Sequence, residues 1–241
     1  MHEYSNKDID WGRYYQAEAK VFLFDPAESP HVVIRNEFAA SMIPRGVKSI
    51  LDVGCGGGWL LKKLNKKLDD DVRLVGVDAS KPRIDAKDKA EIEYKEGFIT
   101  DLPFKTGEFE LVSAVEVLEH VPNIEDAVTE VVRVSSSYVL ILVPGYQKIP
   151  EILCPHCLDT FPGAGHLHSF TPADLNQLLI KHNLKIVGLK EYIHYPLFDM
   201  LPIVKSLSLR TRQRLISWLQ FIHLLPSRKG YYLGILAKKA F

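Results

Sequence analysis

A chain of 241 residues with 46% apolar and 25% charged side chains and no net formal charge is a folded globular protein, and disordered, fibrous and strongly polyionic classes are excluded. No apolar run approaches the roughly 20 residues of a membrane span; Met1-His2-Glu3-Tyr4 lacks the charged and apolar regions of a signal peptide; and three cysteines make no disulfide framework. A cytoplasmic enzyme is the expectation. Charge is unevenly spread, with 17 basic and 25 acidic groups in residues 1–130 against 13 and 5 in residues 131–241. That points either to an anionic partner for the C-terminal part or to two solvated faces that differ.

Residues 1–45 precede the first expected strand and are read as an N-terminal cap, in which Trp11, Tyr14 and Tyr15 either close over a ligand or pack on the sheet edge. Strands are expected over Ser49–Val53, Arg73–Val77, Ile92–Lys95, Phe109–Val115, Tyr138–Val143, Leu184–Tyr192 and Tyr231–Ala237. Helices alternate with them, which argues a parallel sheet covered on both faces. Between the first strand and its helix lies Asp52-Val53-Gly54-Cys55-Gly56-Gly57-Gly58, a sharp turn whose glycines leave no Cβ between backbone and ligand. The second strand ends at Asp78, placed to accept hydrogen bonds from a ribose diol. A nicotinamide site wants the spacing G-x-G-x-x-G around a pyrophosphate. Here the spacing is G-x-G-x-G behind Asp52, a carboxylate that repels a pyrophosphate and suits an ammonium or sulfonium.

After the fourth strand come Glu116, Glu119 and His120, and His120 is the best single candidate for a general base. Cys154-Pro155-His156-Cys157 is followed by His166 and His168. Cys154, Cys157, His166 and His168 make a plausible zinc set. Alternatively, His166 or His168 serves as a second base, or these are packing thiols and surface histidines. Thr171-Pro172-Ala173-Asp174 starts a helix with a threonine cap. Residues 197–229 form a helical insertion before the last strand. In it Leu215, Trp218, Leu219 and Ile222 share one helical face, and Arg210, Arg212 and Arg214 cluster at the start. The stretch 205–229 either rests on an anionic membrane or covers a greasy substrate, or else is an added core helix or dimer contact. Nothing matches a nucleic-acid recognition motif, so nucleic acid is not an expected partner.

The D-x-G-x-G-x-G loop, Asp78, Glu96–Phe104 and Phe109–Val121 together resemble the class I S-adenosylmethionine-dependent methyltransferases, in the manner of the ubiquinone- and menaquinone-biosynthesis enzymes. The resemblance is tight over about residues 48–145. It implies an α/β, doubly wound, Rossmann-like sheet of seven strands, mostly parallel, with the last strand inserted antiparallel; the core is then 46–196 with 230–241. It further implies S-adenosylmethionine as cofactor and S-adenosylhomocysteine as product, with Asp52, Gly54, Cys55, Gly56, Asp78, Ala79, Phe98, Ile99, Val115 and Glu116 as the cofactor-binding residues. Many relatives carry an acid where this chain has Phe98, so adenine recognition leans on stacking and on the backbone of Ile99. The expected reaction is methyl transfer to a small or lipid-like acceptor, at oxygen or carbon rather than nitrogen. The alternatives are a catalytically silent cofactor-binding protein and a nicotinamide-dependent oxidoreductase.

Overall fold

The computed structural model describes residues 10–21, 30–85, 92–155, 158–193, 195, 201–222, 224–225 and 231–240. The strands are β1 (Ser49–Val53), β2 (Arg73–Asp78), β3 (Glu93–Glu96), β4 (Phe109–Val115), β5 (Ser135–Pro144), β6 (Glu151–Leu153), β7 (Thr160–Pro162), β8 (Leu184–Tyr192) and β9 (Tyr232–Lys239). The helices are α1 (Trp11–Val21), α2 (Pro30–Ala40), α3 (Trp59–Asn65), α4 (Lys81–Asp85), α5 (Ile124–Val134), α6 (Pro172–Lys181), α7 (Pro202–Lys205) and α8 (Leu209–Phe221). The main sheet has seven strands in the order β3-β2-β1-β4-β5-β9-β8. The pairs from β3 to β5 are parallel, and β9 runs antiparallel between β5 and β8, so the expected class I methyltransferase sheet is present. The short antiparallel hairpin β6–β7 was not expected from the sequence.

The central strands are apolar on both faces because both faces are covered. On one side Ala127, Val128, Val131 and Val134 of α5 and Leu175 and Leu179 of α6 pack on Val53, Val112, Val139 and Ile141. On the other, Ile34, Phe38 and Ala39 of α2 and Leu60, Leu61 and Leu64 of α3 pack on Ile50, Leu111 and Leu140. Half of the expected cap, α2, is thus built into the core. The helix starts follow their sequence signals. Asn123 accepts the Asp126 amide at the head of α5, and Thr171 and Asp174 exchange reciprocal bonds at the head of α6.

The insertion helix α8 buries a different face from the one the sequence suggested. Trp218 is 56% exposed and Ile222 36%, whereas Arg212 and Ile216 are buried. Ser208 caps the helix by accepting the Thr211 amide and sets its register. The Arg212 stem then lies inward, its Nε donating to the Leu207 carbonyl at 2.9 Å. Of the basic trio, Arg210 and Arg214 stay exposed and Arg212 does not. Gln213 fixes α8 to the sheet by bonding both the amide and the carbonyl of Ile193. Among the described residues no helix is long and apolar enough to cross a membrane.

Candidate active site

Strand order reverses between β1 and β4, which opens a crevice at their C-terminal ends. The glycine loop forms one wall. Gly54, Gly56 and Gly58 have φ of 66°, 51° and 72°, a left-handed backbone open to glycine at little cost. A Cβ on Gly54 would lie 2.3 Å from Val117 Cγ2, and one on Gly58 2.4 Å from the Tyr94 hydroxyl. These two glycines let neighbouring chain approach. Beside Gly56, whose amide is held by Asp78, a Cβ would meet nothing within 4 Å, so that side of the loop is open.

Asp78 is buried at the end of β2. Its Oδ2 accepts the Gly56 amide at 2.8 Å and its Oδ1 the Ser80 amide at 2.9 Å, and the Cys55 amide donates to the Val77 carbonyl. The carboxylate therefore braces the glycine loop, with lone pairs to spare for a further donor. Asp52, also buried, accepts from the Ser113 hydroxyl at 2.8 Å. Ala79 offers its carbonyl to Gln16 Nε2 of α1 at 2.9 Å. Helix α1 thereby roofs the crevice: Gly12 lies over the exposed Phe98 ring, and the Tyr15 ring meets His120 edge-on at 5.8 Å between centroids. Ile99 is half-buried against the core. The Trp11 side chain lies outside the described part.

Beyond β4, Val115 is buried and Glu116 adopts φ 53°, its amide held by the Leu142 carbonyl. The Glu116 carboxylate is ion-paired with Arg35 of α2, a partner 81 residues away that no local pattern announces. Burial works against the charge of Arg35, but Glu116 and, more weakly, Asp52 outweigh it and raise its pKa.

Three side chains converge next to this pair. Ligand atoms of Glu119, His120 and His166 all lie within 4.8 Å of one another. The His120 and His166 rings meet edge to face at 4.6 Å between centroids. His120 Nδ1 donates to the Gly165 carbonyl at 3.1 Å, and His166 Nδ1 to Gln147 Oε1 at 2.5 Å. Glu119 is 1% exposed, and neither carboxylate oxygen reaches a hydrogen-bond partner. Burial first, and then Glu116, push its pKa well above the usual carboxylate range. Burial, aided by His166, holds His120 down to about 4. The two strands of this cluster are tied by backbone, since the Glu119 carbonyl accepts the amides of Leu167 at 2.6 Å and His168 at 3.2 Å.

Among the described residues, Cys154, His166 and His168 of the expected Cys/His set do not gather into one group of potential ligands. His168 turns away, its Nε2 bonded to the Val121 carbonyl at 2.8 Å, and His166 faces His120. Cys154 sits on the β6–β7 hairpin, and among the described residues neither it nor His168 belongs to the cluster of potential ligands; Cys157 lies outside the described residues. The β6–β7 hairpin and the bond from the Tyr146 amide to the Phe170 carbonyl at 2.9 Å tie this segment down.

The sheet order, the left-handed glycine loop and the buried acid at the end of β2 give this domain the fold shared by class I methyltransferases. Residues 51–141 match the family model described as a methyltransferase domain. It is 36% identical over 96 residues to the ubiquinone biosynthesis O-methyltransferase of Coxiella burnetii, across 37% of this chain and 40% of that protein. It is 27% identical over 104 residues to the ajmaline N-methyltransferase of Rauvolfia serpentina, across 40% of this chain and 35% of that one. The matched stretch is thus well under half of these curated relatives. Two solved structures share the fold. One, with a TM-score of 0.65 and 14% identity over 98% of this chain and all of the other, is from the complex between the Haloferax volcanii Trm112 methyltransferase activator and a methyltransferase. The second, with a TM-score of 0.61 and 16% identity over 94% of this chain and all of the other, is an S-adenosylmethionine-dependent methyltransferase from Archaeoglobus fulgidus.

Proposed function

We propose that this chain is an S-adenosylmethionine-dependent methyltransferase acting on a small or lipid-like acceptor at oxygen or carbon. The observation that carries the reading is the open, left-handed backbone at Gly56 beside the buried carboxylate of Asp78. That pairing offers a glycine cradle for an adenosine and a carboxylate for its ribose. When bound, S-adenosylmethionine supplies a methyl group already activated on a sulfonium. The protein's part is then alignment, which brings much of the rate. Gly54, Cys55, Gly56, Asp78 and Ala79 hold the sugar side, Phe98 and Ile99 the base, and Val115 and Glu116 the amino-acid end. Asp52 contributes a nearby negative charge from inside the sheet. Helix α1 excludes water from above.

Glu119, His120 and His166 form the polar end of the acceptor side. A lone imidazole held near 4 has little driving force as a base at neutral pH, which weakens the simplest role for His120. An oxygen target is favoured by the likeness to the Coxiella O-methyltransferase. We extend the reading to a greasy or anionic partner for α8, where Arg214, Trp218 and Phe221 share an exposed helical face.

Calorimetric titration with S-adenosylhomocysteine and with a nicotinamide dinucleotide separates the main reading from an oxidoreductase. The expected result is one site for the first and none for the second. Turnover of methyl-labelled cofactor against quinone-like and lipid extracts then separates an enzyme from a silent binder. Binding without transfer to any extract would sink catalysis.

A further inference from the structure

We propose that Glu119, His120 and His166 bind a divalent cation of zinc type, with an open coordination position directed at the acceptor. Three independent features point there. First, Glu119 is buried and neither of its oxygens has a hydrogen-bond partner, His120 Nε2 standing 3.9 Å from Oε1. A buried carboxyl left so is unfavourable, and a cation beside it removes that penalty. Second, both imidazoles are pre-set as ligands. His120 donates Nδ1–H to the Gly165 carbonyl and His166 donates Nδ1–H to the Gln147 amide oxygen. Each therefore presents the lone pair of Nε2, and the outer hydrogen bond fixes ring and tautomer as metal-ligating histidines require. Third, the ligand atoms already lie within 4.8 Å of one another, and rotamer-scale adjustment brings them to the roughly 2.0–2.2 Å bond lengths of an N/O site.

Chain geometry supports the assembly. Glu119 and His120 are adjacent on the turn after β4, and the loop bearing His166 is pinned to that turn by the Leu167 and His168 amides. Two imidazoles and one carboxylate suit zinc, cobalt or another borderline cation rather than magnesium or calcium, which prefer all-oxygen shells. Three protein ligands leave a fourth position open. His120 keeps 23% of its side chain exposed, so the cluster is reached from outside on that side. An acceptor hydroxyl bound there has its proton acidity raised by the cation. The cation claim stands on geometry; its role toward the acceptor rests on the methyltransferase reading.

The test uses the 241-residue chain stripped with chelator, then titrated with zinc or cobalt chloride and followed by metal analysis and cobalt visible absorption. The expected result is one cation per chain with tetrahedral cobalt bands. Glu119→Gln and His166→Gln should each weaken binding beyond the roughly 10–100-fold that loss of an outer-shell partner costs, and Cys154→Ser should bind as the parent does. Circular dichroism identifies any variant that fails to fold, and the surface-side His166→Gln then carries the test. S-adenosylhomocysteine affinity is measured on the same stripped protein. Absence of stoichiometric metal in the parent, or unchanged affinity in His166→Gln, overturns the cation site while leaving cofactor binding to be judged on its own titration.

Discussion

At the scale of single residues, the three left-handed glycines of the first loop do different work, and substitution separates them. In Gly54→Ala the left-handed backbone costs about 1–2 kcal/mol, and the new methyl also collides with Val117. In Gly56→Ala only the backbone cost applies to the fold, because the methyl enters open space. Thermal melts without ligand should therefore show Gly54→Ala the less stable of the two. Titration with S-adenosylhomocysteine should show Gly56→Ala losing about tenfold or more in affinity while remaining folded, and unaltered affinity would remove Gly56 from the site. The glycine loop and Asp78 were legible in sequence because strand, turn and acid follow one another within thirty residues. The Arg35–Glu116 pair and the burial of Glu119 were not. Both depend on chain segments meeting across the crevice, and none of the three side chains differs locally from a solvated one.

At the scale of elements, the strands of the sheet could be read nearly to their ends, since an apolar run buried on both faces needs no partner to reveal it. The hairpin β6–β7 could not, because its residues are mostly exposed and its six positions carry no alternation strong enough to see. Helix α8 was legible as a helix but not in orientation, because an arginine can bury its stem and still satisfy its head. Ile216→Ala should cost about 2–5 kcal/mol, whereas Phe221→Ser should stay within about 0.5 kcal/mol of the parent, as measured by urea denaturation. Co-sedimentation with anionic vesicles checks the exposed face. Replacing Arg210, Arg214 and Phe221 together should lower binding, and equal sedimentation would withdraw the partner surface.

At the scale of the whole molecule, the proposed cofactor site joins α1 to the ends of β1, β2 and β4, so ligand binding should stabilise the chain as a unit. S-adenosylhomocysteine at 100 times its dissociation constant adds about 2.7 kcal/mol, which for a domain of this size raises the melting temperature by about 5–10 °C. A scan showing no rise at that excess would argue that the ligand does not engage the native state. The bonds from the Glu119 carbonyl to Leu167 and His168 have a bearing on how such proteins diversify. They make the turn after β4 and the segment before α6 a single hinged plate, although 45 residues separate His120 from Gly165. Grafting a new specificity loop at 163–170 therefore means transplanting 117–121 with it, since either half alone arrives with its latch missing.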